Sequence, residues 1–88
     1  MSYTIVWEKS AKKAFLKLPL KTREAIFSAI SALAQDPFPF GYIQLTNQGK
    51  SYRIRVGNYS VIYSVNNGAL QILILQVEAR KSVYKNKK

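Results

Sequence analysis

The stretch Tyr52-Arg53-Ile54-Arg55-Val56-Gly57-Asn58-Tyr59-Ser60-Val61-Ile62-Tyr63 reads as a β-hairpin, and the rest of the chain falls into place around it. Gly57-Asn58 suits a two-residue turn, which sets Val56 opposite Tyr59, Arg55 opposite Ser60 and Arg53 opposite Ile62. Side chains alternate across a strand. Tyr52, Ile54, Val56, Tyr59, Val61 and Tyr63 therefore share one face, apolar enough to be core, while two guanidinium groups stand on the other. A sheet that buries one side and presents arginines on its reverse suits a polyanion.

Composition points the same way. Eighty-eight residues are expected to form one domain over 1–88, with a core modest enough that a tight partner adds much of the stability. Fourteen Lys and Arg stand against Glu8, Glu24, Asp36 and Glu78, a formal net charge of +10. That excess costs the compact state some self-repulsion and attracts nucleic acid, acidic protein segments or anionic lipid. Membrane association is the weakest of these. The longest apolar run, Leu70 to Val77 with two glutamines in it, is strand-sized, and no secretory leader is recognisable. Absence of cysteine fits a reducing compartment, and a cytoplasmic protein is expected.

The missing residue types narrow the chemistry. With no histidine, no cysteine and four scattered carboxylates, one subunit assembles no metal cluster at the usual spacings. A Ser-His-Asp or Cys-His nucleophile is impossible, and no glycine-rich loop precedes a helix to cradle a nucleotide phosphate. Neither a metal nor a small-molecule cofactor is expected. Arg, Lys, Tyr, Ser and an occasional Glu remain for any catalysis.

Outward from the hairpin, Tyr3 to Glu8 alternates as a first strand should. Ser10 is a candidate cap for a helix over Ala11 to Lys17 that ends before Pro19. Leu20 to Ala34 repeats apolar residues at Ala25, Ile26, Ala29, Ile30, Leu33 and Ala34, which predicts a second helix and a helical hairpin over the sheet. Asp36-Pro37-Phe38-Pro39-Phe40-Gly41 cannot continue a helix and reads as a linker within the domain. Ile43 to Leu45 is a candidate short strand. Asn67-Gly68 signals a second turn, and Leu70 to Val77, apolar on both faces, reads as an inner strand. The expected class is α+β, two N-terminal helices on a small antiparallel sheet in the order β-α-α-β-β-β.

That order, with Asp36-Pro37 after the second helix, Tyr52-Arg-Ile-Arg-Val-Gly-Asn-Tyr, Val61-Ile-Tyr63 and the closing Arg80-Lys-Ser-Val-Tyr84, resembles the RelE/ParE toxin superfamily over nearly the whole chain. The resemblance implies the toxin of a type II toxin–antitoxin pair with a RelE-like fold and a cognate acidic antitoxin as partner. RelE-like members cut messenger RNA in the ribosomal decoding site, which would add the ribosome, with mRNA and rRNA, as partner. ParE-like members poison DNA gyrase. Residue by residue, Arg53 and Arg55 match strand positions where RelE-like toxins hold substrate and assist cleavage, Arg80 the basic residue that stabilises the phosphate, and Tyr84 the aromatic that positions the base. Ser60 stands where many members are basic, and Ala79 where many carry histidine. A toxin-derived chain that mainly binds its antitoxin is the reading those departures keep open.

The chemistry stands without the family. RNA carries its own nucleophile, the ribose 2′-hydroxyl, which attacks the adjacent phosphate once held in line. Guanidinium groups neutralise charge building on the non-bridging oxygens, because each is charged, planar and bidentate. The proton transfers need a shifted Tyr or Lys, or Glu78, whose plainer role is a salt bridge. Lys50, Lys81 and Lys85 are further candidates to bind RNA, and Lys81, Lys85, Lys87 and Lys88 together make a basic tail. The plain alternatives are a solvated strand face for Arg53 and Arg55, a packed terminal ring for Tyr84, and a solvated helix face for Lys9, Lys12, Lys13 and Lys17.

Overall fold

In a computed structural model that describes residues 2–45 and 50–79, the hairpin is the centre of a five-stranded sheet. The order along the chain is β1 (Thr4–Trp7), α1 (Lys9–Leu16), α2 (Leu20–Gln35), β2 (Ile43–Leu45), β3 (Ser51–Val56), β4 (Tyr59–Asn66) and β5 (Gln71–Ala79). Across the sheet the strands lie β1-β5-β4-β3-β2. The expected α+β order is present, and the short strand at Ile43 pairs with β3. The sheet is mixed and not purely antiparallel. After the two helices the chain re-enters at the far edge, and the meander β2-β3-β4-β5 returns to lay β5 parallel to β1.

The β3–β4 register matches the expectation pair for pair: Val56 faces Tyr59, Arg55 faces Ser60 and Arg53 faces Ile62. Gly57 has φ +60°, while Asn58 does not enter the positive region. Glycine first in a two-residue loop with that sign is the type II′ turn, whose twist suits a hairpin. Between β4 and β5 a bulge at Ile62/Tyr63 pairs Ile62 with Gln76 and Tyr63 with Ile74, so Leu75 is the extra residue. The shift keeps Val61, Tyr63, Ile74 and Val77 together under the helices.

Three departures have local causes. Helix α1 begins at Lys9 without a side-chain cap, and Ser10 lies inside its first turn. Glu8 donates its backbone N–H to the Ile74 carbonyl at 3.0 Å and accepts Lys12 N–H at 2.9 Å, so the sheet register starts the helix and no serine is needed. The β4–β5 connection runs from Asn67 to Leu70, longer than an Asn-Gly turn, because Asn66 Oδ1 takes the Ala69 N–H at 3.0 Å. Leu70 adopts φ 54° there, a left-handed conformation secured by its carbonyl accepting Thr4 N–H at 2.8 Å.

Helix α2 buries Ile26, Ile30 and Leu33, spaced for one helical stripe, while α1 fully buries only Ala11. Trp7 and Phe15 meet at 4.9 Å between ring centroids, tying α1 to β1. Beyond α2, Asp36 Oδ1 accepts the Phe38 N–H at 3.1 Å and turns the linker. Tyr63, 0 % exposed, donates its hydroxyl to the Pro37 carbonyl at 2.6 Å. Burial, with lesser contributions from Tyr42, Tyr52 and Asp36, holds its proton far above the usual tyrosine range, so this donor stays protonated at any ordinary pH.

Candidate functional site

Strand β3 sets Arg53 and Arg55 two residues apart on the sheet face opposite the helices. A rise of about 3.3 Å per residue separates their Cα atoms by roughly 7 Å, close enough for both guanidinium groups to reach one phosphate. Their settings differ. Arg53 pairs with Ile43 on β2 and Ile62 on β4, and is half-buried between them. Its Nε is buried without a hydrogen-bond partner. Arg55 lies beyond the end of β2, whose pairing stops at Ile43 with Arg53, and is exposed.

Ser60 lies beside Arg55 and Glu78 lies beside Ser60, one ladder across three strands. Strand spacing puts Glu78 about 10 Å from Arg55 between Cα atoms. An exposed carboxylate thus shares the arginine face, which the parity of β5 alone does not reveal because the bulge at Leu75 shifts it. Glu78 accepts Gln76 Nε2 at 3.2 Å. Ser60, 4 % exposed, has little room above it, so a long basic side chain there would have to rise out of the packed ladder. Ala79 pairs with Tyr59.

Lys50 is exposed at the start of β3 and lines a recess with Phe38, Gln44 and Tyr52. Tyr52 belongs to the helix-facing row, so Lys50 and the two arginines serve different sides of the sheet. Arg80, Lys81, Tyr84 and Lys85 lie outside the described residues, as do Lys87 and Lys88. Lys9, Lys12, Lys13 and Lys17 are all exposed. Among the described residues no three His, Cys, Asp or Glu side chains gather to hold a metal ion, and no helix is long and apolar enough to cross a membrane.

This arrangement coincides with a known family. Residues 5–84 match the model described as ParE toxin of type II toxin-antitoxin system, parDE. An archaeal RelE–RelB complex from Pyrococcus horikoshii contains a chain 34% identical to this one, covering 91% of this chain and 97% of its own, with a TM-score of 0.79. The RelB–RelE antitoxin–toxin complex of Methanococcus jannaschii gives 27% identity over 94% and 99% of the two chains, at TM-score 0.70. A YoeB/ParE toxin from Agrobacterium tumefaciens shares the fold at 17% identity, 86% and 96% coverage and TM-score 0.76. No curated protein matches. The chain belongs to the ParE toxin family of type II toxin–antitoxin systems, within the RelE/ParE superfamily.

Proposed function

We propose that this toxin is a metal-independent, ribosome-dependent endoribonuclease that cuts messenger RNA. The observation that carries the reading is Arg53: a guanidinium paired across strands with isoleucines, its Nε desolvated and unpartnered, beside the exposed Arg55. A buried donor left unpaired is costly by about 1–3 kcal/mol, and an incoming phosphate oxygen would relieve that cost. In this reading Arg53 and Arg55, with Arg80, clamp the scissile phosphate and stabilise the charge that develops as the 2′-hydroxyl attacks. The new bond joins the 2′-oxygen to phosphorus, the bond to the 5′-oxygen of the next nucleotide breaks, and that oxygen takes a proton. Tyr84 positions the base, and Lys50, Lys81 and Lys85 bind RNA. In this reading Glu78, on the same face as Arg55, accepts the 2′-hydroxyl proton through water.

The protein partners follow from surface chemistry. Leu16, Leu20, Phe27 and Phe40 are exposed, and Lys9, Lys12, Lys13, Lys17 and Lys21 lie among them on the helices and their connection. An acidic antitoxin with an apolar stripe would complement that surface, and related chains are found in complexes with RelB. Residues 1–88 would act as one unit in the cytoplasm. A ParE-like gyrase poison is the competing function, favoured by the description of the matching family. Ribosome-programmed cleavage assays with wild type, Arg53→Ala, Arg55→Ala and Arg80→Ala separate the two. Loss of cutting in the variants supports the nuclease. An uncut message together with impaired supercoiling would establish the rival.

A further inference from the structure

The proposed RNA substrate needs more than a clamp on its phosphate, and the structure carries a second feature that suits a base. At the end of the sheet where β3 begins and β4 ends, Phe38, Gln44, Lys50, Tyr52, Val65, Asn66 and Asn67 enclose an open recess of about 500 Å³. Small-molecule sites fall in the same size range. Its aromatic wall is a packed cluster: Tyr52 is edge-on to Phe38 at 5.0 Å and to Tyr42 at 5.9 Å between centroids, and rests on the buried Tyr63 at 5.8 Å. Phe38 remains 37 % exposed, so part of the aromatic wall is open to a ligand.

The polar groups of the recess supply both donors and acceptors. Asn66 Oδ1 is committed to the Ala69 N–H, and Asn67 Oδ1 accepts the Tyr3 hydroxyl at 2.8 Å. Each of these oxygens keeps a second lone pair, and the two Nδ2 groups and the Lys50 side chain add donors. Gln44 and the Tyr52 hydroxyl each bring both a donor and an acceptor. We propose that this recess holds one unstacked RNA base against its aromatic wall, with Lys50 on a flanking phosphate. Lys50 lies three residues from Arg53, roughly 10 Å along the strand. A strand clamped at the arginines therefore reaches the recess by turning over the end of the sheet with a neighbouring nucleotide.

The inference rests on RNA being the substrate, and binding in solution tests it apart from cleavage. The full chain, labelled for amide NMR, is titrated with tetranucleotides containing a single G, U, A or C, and with an abasic control. The base-containing oligonucleotides shift the amides of Gln44, Tyr52, Asn66 and Asn67, and bind about fivefold or more tightly than the abasic one. Gln44→Ala and Lys50→Ala change exposed side chains without hydrogen bonds to the rest of the fold, and erase that preference while shifts at Arg53 and Arg55 persist. Shifts confined to the arginine face, or equal for the abasic strand, overturn the recess and leave the RNA reading standing. An oligonucleotide that moves no amide on either face overturns both. An acidic peptide that takes the recess in preference to every oligonucleotide also overturns it.

Discussion

The two faces of one hairpin follow opposite rules. On the helix side, Ile54, Val61, Tyr63, Ile72, Ile74 and Val77 are sealed beneath Ile26, Ile30 and Leu33, and the Tyr63 hydroxyl has its acceptor. On the reverse, Arg53 keeps a desolvated nitrogen with no acceptor, and Ile43 beside it is 44 % exposed. A face built for stability satisfies its polar groups and excludes water. The reverse face leaves a buried donor unsatisfied, and in the proposed function a phosphate backbone supplies its acceptor. Substitutions should therefore divide cleanly, those on one side lowering stability and those on the other lowering activity.

The largest effect breaks the comparison from the packed side. Ile30→Ala removes a fully buried side chain and leaves a cavity, and should lower unfolding free energy by about 2–5 kcal/mol in urea titrations. A drop as small as that of an exposed alanine substitution would contradict the placement of α2 on the sheet. Next, Arg53→Ala should reduce ribosomal cleavage by about 10²–10³-fold, the magnitude of removing one charge-stabilising donor. Its unfolding free energy should not fall and should rise by up to about 1–3 kcal/mol, because the buried, unpaired Nε leaves with the side chain.

Tyr63→Phe sharpens the contrast on the packed side. It strands the Pro37 carbonyl and should cost about 1–3 kcal/mol with cleavage preserved in the folded fraction. The same tyrosine gives a pH test. Its folded-state pKa is raised well above the unfolded value, so the fold holds a proton that the unfolded chain releases above pH 10. Stability from this group is complete below pH 10 and falls as pH rises further, by up to about 1.4 kcal/mol per unit. Wild type should show that extra alkaline slope relative to Tyr63→Phe, and parallel curves would remove burial of the hydroxyl as its cause. The smallest effect is Arg55→Lys, which keeps the charge and loses the fork. It should weaken cleavage by about tenfold without moving the denaturation midpoint.

Legibility in the chain followed the range of the interactions. The hairpin register, the turn at Gly57, the stripe on α2 and the linker at Pro37 depend on neighbours within a few residues, and each could be read from spacing. The start of α1 was obscured because a strand hydrogen bond from Glu8 to Ile74, and not Ser10, sets it. The parallel partnership of β1 with β5 depends on where the meander ends, and the position of Glu78 depends on a bulge at Leu75 that no residue type announces. The arginines were visible as an alternating pair. Their unequal surroundings were not, because the end of β2 beside Arg53 is a tertiary fact. The recess at Phe38 and Asn67 brings together the linker, two strand ends and a turn far apart in sequence, beyond any local signal.

The most direct test measures stability and ribosome-dependent cleavage on the same preparations of wild type, Arg53→Ala and Arg55→Ala. Arg55→Ala should unfold at the wild-type denaturant concentration and Arg53→Ala at that concentration or a higher one, while both cut messenger RNA at least a hundredfold more slowly. Variants that cut at the wild-type rate, or lose activity only in proportion to lost folded protein, would contradict the assignment of the open sheet face to the phosphate.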